Sequence, residues 1–326
     1  MGKRTTPPRS FNTIRQTQCD RRAERQRKRR VVLLALCVTV VLLAVAGIAT
    51  LVCMIVDGVA SSNPGGNNNS SDIVYSQHTK TESGLEYGAL ILINKDHKYS
   101  FPSTATAELV DMREERSKLD NEEIYYFTKS GQYLLNKNAV EAFHEMMIAY
   151  DEWSDGEGDV GVSTTYRSKK DQETLSNQSS SNARPGYSDH HSGYCIAIKK
   201  LSDSHWIYQN CHKYGFVVRY PDDKSDVTGI DDYKECLRYV GVAHATYMKE
   251  NDLCLEEYVE LLAEDHVFGE EHLSVEGADG NDYEIYYVPL SDGEVTTVDV
   301  PDNYSYTFSG DNDSGFIITV NLSDPQ

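Results

Sequence analysis

Apolar and polar positions divide this chain into stretches of different kinds. Val31–Val56 is an uncharged, mostly apolar run. At about 1.5 Å of rise per residue, its 26 residues span roughly 39 Å, enough to cross a bilayer core with some tilt. The pattern therefore predicts a transmembrane helix over 31–56. Polar and small residues follow, including SSNPGGNNNSSD at Ser61–Asp72, and 57–83 reads as a flexible linker. Glu86–Pro102 holds a strand-like run followed by a turn. Asn138–Trp153 places Val140, Phe143, Met146, Met147 and Tyr150 at helical spacing. Ser204–Tyr214 reads as a helix stopped by Gly215, Phe216–Tyr220 as a strand closed by Pro221, and Leu237–Lys249 and Leu255–Leu262 as two further helices. From Asp265 onward, short β-branched and aromatic runs alternate with Asp/Gly/Asn turns: Tyr283–Val288, Glu294–Val300, Tyr304–Gly310 and Phe316–Val320. They predict a small β-rich module over 265–326.

Charge sharpens this division. The formal net charge is −20, yet the first 30 residues carry a net +9 and the remainder a net −29. The basic run Arg21–Arg30 immediately before the apolar segment places 1–30 in the cytoplasm as a basic tail and the body outside the cell. A cleaved signal peptide is the competing reading, with Val59–Ala60–Ser61 as its small-residue site. So acidic a body is not expected to bind nucleic acid, which needs a basic face.

Two short pieces carry a resemblance. SDHHSGYCIAI (Ser188–Ile198) and TGIDDYKECLRYVG (Thr228–Gly241) resemble the two metal-binding motifs of VanY-type D-alanyl-D-alanine carboxypeptidases. There the first motif is Ser-x-His with an Asp seven residues after the His, and the second is Glu-Pro-Trp-His, a hydrophobic residue, then Arg-Tyr-Val-Gly. Ser188, His190 and Gly193 fit the first motif, and Arg238, Tyr239, Val240 and Gly241 the second. GFVVRYP (Gly215–Pro221) and LEEY (Leu255–Tyr258) fit as well. GVSTTYRSKKDQ (Gly161–Gln172) resembles the family's Ser-Gly-Tyr-Arg-Ser segment, retaining Tyr166, Arg167, Ser168 and Gln172. The resemblance covers 84–264. It implies an α+β fold of the LAS/hedgehog-like zinc peptidases, a central antiparallel sheet with helices, here preceded by one transmembrane helix and followed by the β-module.

The same alignment removes most of the family's chemistry. Of the metal ligands only His190 is retained, with Ala197 at the Asp position and Cys236 at the second His. Tyr233 stands where the family has its catalytic Glu. A catalytic zinc takes three protein ligands and an open position, with a carboxylate to accept the water's proton. Alanine cannot ligate, and tyrosine is a poor base at neutral pH. This reading expects no catalytic residue and no cofactor, although the family uses zinc. The substrate-binding positions survive in Arg167, Ser188, Tyr166 and Gln172. A guanidinium fork suits a peptide's terminal carboxylate.

Cysteines give the missing metal a substitute. Four of the seven lie in the extracellular part: Cys195, Cys211, Cys236 and Cys254. Cys195 precedes Ala197 by two, so on a strand both point to one face, and the resemblance aims Cys236 at the same place. A Cys195–Cys236 disulfide in place of zinc is expected, with Cys211–Cys254 as the second bridge. Four cysteines allow three pairings, and His190, Cys195 and Cys236 could instead form a two-cysteine, one-histidine zinc site. His191 is expected to face away as a surface residue. The functional expectation is a membrane-anchored VanY-like pseudoenzyme binding peptidoglycan stem peptides or another envelope component. The alternatives are an active zinc D-alanyl-D-alanine carboxypeptidase with an altered site and an extracellular interaction scaffold.

Overall fold

The computed structural model describes residues 73–202, 205–231, 233–293 and 295–326. The basic tail, the apolar segment and the linker up to residue 72 lie outside the described residues. Among the described residues no helix is long and apolar enough to cross a membrane.

The elements in chain order are β1 (Tyr75–Thr81), β2 (Leu109–Asp111), α1 (Met112–Arg116), β3 (Tyr126–Phe127), β4 (Leu134–Asn136), α2 (Lys137–Trp153), β5 (Gly161–Thr164) and α3 (Lys169–Gln178). They continue with β6 (Cys195–Ile198), α4 (Trp206–Asn210), β7 (Phe216–Val218), α5 (Ser225–Thr228), β8 (Cys236–Tyr239), α6 (Val242–Glu250) and α7 (Leu255–Asp265). The last strands are β9 (Leu273–Glu276), β10 (Asp282–Pro289), β11 (Val295–Pro301), β12 (Tyr304–Gly310) and β13 (Gly315–Pro325).

A five-stranded sheet of order β3-β5-β6-β8-β7 carries the two motifs. Its pairs are antiparallel except β3 with β5, which is parallel, so the sheet is mixed. Alternation along the strands gives the sheet two different faces. Ile196, Ile198 and Leu237 join Val140, Phe143, Met146 and Met147 of α2 in one core cluster. Cys195 and Cys236 point the other way, into a small cluster with Tyr220, Ile230 and Tyr233. One face of the sheet is thus sealed by α2, and the other faces the candidate site.

β12, β13, β10 and β9 form a second, antiparallel sheet. It shares a core with α6 and α7, in which Ala243, Met248, Tyr258 and Leu262 pack with Leu273, Ile285, Tyr287 and Ile317. The described residues from 73 onward accordingly belong to one compact unit, in which Leu262 of α7 shares its core with Leu273 and Ile285. At the other end, 75–81, read as linker, form β1 in register with β11. Tyr75 anchors that strand edge-on against Phe268, with ring centroids 5.2 Å apart.

Two further expectations are corrected. Leu237–Lys249 is a strand followed by a helix, because Gly241 (φ 93°) breaks the run and Cys236–Tyr239 is held between β6 and β7. Leu90–Ile93 is buried but lies in no strand. Its polar groups are met individually: the Leu92 N–H donates to the Asp311 carbonyl (2.9 Å), and the Ile91 carbonyl accepts from the Arg238 guanidinium (3.1 Å).

Candidate metal and peptide site

Ser188 is extended, and Asp189–Ser192 then form a 3-10 turn closed by Gly193 in the left-handed region (φ 76°). The left-handed backbone there favours glycine, and a Cβ would come within 2.6 Å of the Cδ2 end of the Leu109 side chain. The turn buries Asp189, His190 and His191. It is tied to the Tyr166–Arg167 segment, since the Arg167 N–H donates to the His190 carbonyl at 3.1 Å.

His191 is not at the surface. It is fully buried, its Nδ1 donating to the Arg167 carbonyl (2.6 Å) and its Nε2 accepting from the Gly186 N–H (3.1 Å). The ring therefore braces the loop that carries Arg167.

Asp189 is consumed by structure. Its carboxylate pairs with Arg238 and lies 3.5 Å from Nε of Arg219, both guanidinium groups being fully buried. Arg238 also donates to the carbonyls of Ala89 (2.9 Å) and Ile91. Arg219 makes a bidentate pair with Glu256 at 2.7 and 2.9 Å. Burial works to raise the Glu256 carboxyl, but Arg219 and the Asn94 amide outweigh it and hold the group at about 2. Sequence reasoning missed this network. Arg219 sits inside GFVVRYP, and nothing local in the sequence marks its distant partners.

Of the retained substrate-binding positions, three converge. Nη1 of Arg167 donates to Oε1 of Gln172 at 2.8 Å and lies 3.5 Å from Oγ of Ser188. Gln172 is itself buried and donates to the Ala183 carbonyl. Among the described residues no carboxylate forms an ion pair with Arg167, and burial lowers its pKa from the usual guanidinium value. Tyr166 is half-buried and fixed through its N–H to the Leu134 carbonyl (2.9 Å).

His190 and Tyr233 meet across the site, Nε2 and Oη sharing a hydrogen bond of 3.2 Å. Burial and the neighbouring Arg167 push the His190 imidazole down to about 3, with Asp189 and the Thr165 backbone opposing the shift. Its Nδ1 is buried without a well-formed hydrogen bond. Tyr233 stacks on Tyr220 (centroids 5.8 Å, 15° between planes), and burial raises its phenol despite Arg167. A neutral phenol therefore stands at the position of the family's catalytic Glu.

Ala197, opposite Cys236 in the β6–β8 register, contributes only packing. Cys195 and Cys236 are joined as a disulfide with Cα atoms 6.6 Å apart. The second expected bridge does not form, since Cys211 and Cys254 are both free and buried. Their surroundings differ: Cys211 packs in the α2 core, whereas Cys254 caps the start of α7.

The expectation that no cofactor is needed is also corrected. The ligand atoms of His190, Cys195 and Cys236 all lie within 4.8 Å of one another, and all three residues are buried. One imidazole and, once the disulfide is reduced, two thiols would be a donor set that zinc accepts, leaving a fourth position open. The residues present thus fit the metal that the resemblance implies, with Cys195 supplying the donor that Ala197 lacks.

Residues 132–242 match the family model for VanY, D-alanyl-D-alanine carboxypeptidase. The chain is 33% identical over 253 residues to the D-alanyl-D-alanine carboxypeptidase of Enterococcus faecium, covering 75% of this chain and 78% of that protein. It is 32% identical over 133 residues to the bifunctional D-Ala-D-Ala dipeptidase and D-Ala-D-Ala carboxypeptidase VanXYC of Enterococcus gallinarum, covering 33% of this chain and 70% of that one. Among solved structures, the vancomycin-resistance D,D-dipeptidase VanXYg, in complex with a D-Ala-D-Ala phosphinate analogue, shares the fold. Its TM-score is 0.62 at 23% identity, over 76% of this chain and 99% of that one. A matching family motif region, a relative aligned over most of its length and a common fold together place the chain in the VanY family of D-alanyl-D-alanine carboxypeptidases.

Proposed function

We propose that this protein is a membrane-anchored, outward-facing VanY-family member that grips the D-Ala-D-Ala end of peptidoglycan stem peptides and cleaves it slowly or not at all. The observation that carries this reading is the state of Arg167. Its guanidinium is steadied by the neutral side chains of Gln172 and Ser188 and forms an ion pair with no described carboxylate, Asp171 acting on it only at longer range, so its hydrogen-bonding fork is left for a ligand's carboxylate. Hydrolysis is disfavoured because the family's base position is not held by a carboxylate. Tyr233 replaces it with a phenol raised by burial, and Asp189 is held by two arginines. The apolar segment Val31–Val56, with its basic tail on the cytoplasmic side, supplies the anchor and its orientation.

The test is binding of a D-Ala-D-Ala-terminated pentapeptide by calorimetry. Arg167→Ala weakens it by about tenfold or more, the size of a lost charge-assisted hydrogen bond, and amidating the peptide's C-terminus does the same. Equal affinity of wild type and variant would rule the reading out. The donor set of His190, Cys195 and Cys236 favours one other reading, an active carboxypeptidase with an altered metal centre. Release of D-alanine over many turnovers would select it.

A further inference from the structure

Cys195 and Cys236 serve two bonds that exclude each other. They are joined as a disulfide, yet their sulfurs also lie with a ring nitrogen of His190 inside the same 4.8 Å cluster. Metal ligation needs the thiolate, and a sulfur held in a disulfide has none to offer. We propose that the Cys195–Cys236 bond is a redox lock on a metal centre. Reduced, the two sulfurs and His190 take up one zinc ion; oxidised, the site keeps its framework and excludes the ion.

The framework does not depend on the bond. The β6–β8 ladder runs through Cys195 opposite Arg238, Ile196 opposite Leu237 and Ala197 opposite Cys236. Arg238 further ties β8 to Asp189 and the Ala89–Ile91 segment. Opening the disulfide therefore leaves both sulfurs at the same wall of the site. The third member of the cluster is a ring nitrogen of His190, which lies with both sulfurs within 4.8 Å in a fully buried setting. Thiolates and imidazole select zinc over magnesium or calcium, which prefer oxygen.

The electron balance needs a dithiol reductant. It gives two electrons and two protons to the S–S bond and becomes a disulfide itself, while Cys195 and Cys236 become thiols. Zinc binding then releases both thiol protons to solvent, and two thiolates offset the charge of the ion. The approach is from the side of Ile230 and Tyr233, which are only partly buried in this cluster. This inference concerns the metal and not the peptide, so it stands or falls separately from the role of Arg167.

The experiment uses the purified full chain, oxidised or treated with a phosphine reductant, incubated with zinc, desalted and analysed for metal. A parallel cobalt sample is read for sulfur-to-cobalt charge-transfer absorption. The reduced chain is expected to hold one equivalent of zinc and show the cobalt band, and the oxidised chain neither. Cys236→Ser loses both under reduction. His190→Ala loses the zinc while peptide mapping still finds the Cys195–Cys236 bond after oxidation, which separates loss of a ligand from loss of fold. Zinc held equally by the oxidised chain, absent from the reduced chain, or retained by Cys236→Ser would each overturn the lock.

Discussion

The phenol of Tyr233 and Nε2 of His190 share a hydrogen bond of 3.2 Å, so the family's one retained metal ligand faces a phenol rather than a carboxylate. General-base catalysis is worth about a hundredfold or more. Tyr233→Glu in the reduced, zinc-supplied chain should therefore raise D-alanine release from a pentapeptide by at least about tenfold. No change in the rate would show that the missing base is not what limits cleavage.

Among the described residues, Asp189 is the carboxylate that pairs with both buried guanidinium groups, those of Arg219 and Arg238. Removing one member of a buried ionic network strands the others and costs about 3–5 kcal/mol. Asp189→Ala should lower the denaturation midpoint by that amount, whereas Asp171→Ala, on an exposed turn of α3, should shift it by less than about 1 kcal/mol. A near-neutral Asp189→Ala would show that Glu256 suffices for Arg219 and the Ala89 and Ile91 carbonyls for Arg238.

Glu256 makes the fold sensitive to acid. Its folded pKa, about 2, lies below its ordinary value of 4.5, so the unfolded chain binds the proton more readily. The stabilisation, on the order of 3 kcal/mol, is present above pH 4.5 and is lost as pH falls toward 2. Thermal unfolding followed from pH 7 to pH 3 should show Tm falling below about pH 5. Glu256→Gln should lower Tm at pH 7 and flatten that slope. An unchanged slope would assign the acid sensitivity to other carboxylates.

Cys211 and Cys254 are buried thiols, each raised to about 12 by loss of hydration. Neither should react with iodoacetamide in the native protein, because the thiolate is the nucleophile. Both should label fully in guanidinium. Peptide mapping that found either residue alkylated under native conditions, or joined to the other, would contradict the structure.

Much of the site was readable in the sequence because its determinants are local. Ser188, His190 and Gly193 form one turn, and the spacing of Cys195 and Ala197 fixes a common strand face. The helix at Lys137–Trp153 was legible from its apolar spacing, and strand β12 from an aromatic run bounded by turn residues. Other features depend on distant partners. Leu237–Tyr239 reads as helix in isolation and becomes a strand because β6 and β7 flank it. Tyr75–Thr81 resembles linker until β11 is beside it. His191 is drawn inward by the Arg167 carbonyl, which no pattern around His191 reveals. The three-residue cluster of His190, Cys195 and Cys236 was itself legible as a possible zinc site, whereas the separation of Cys211, packed in the α2 core, from Cys254, at the start of α7, was not.

The most direct test of the central claim measures binding and turnover on one sample. The full chain, reduced and supplied with zinc, is mixed with a D-Ala-D-Ala-terminated pentapeptide, and bound peptide and released D-alanine are quantified together. The account predicts saturable binding that Arg167→Ala weakens by about tenfold or more, with less than one D-alanine released per bound peptide. Repeated release of D-alanine by the wild-type chain, or binding indifferent to Arg167, would contradict it.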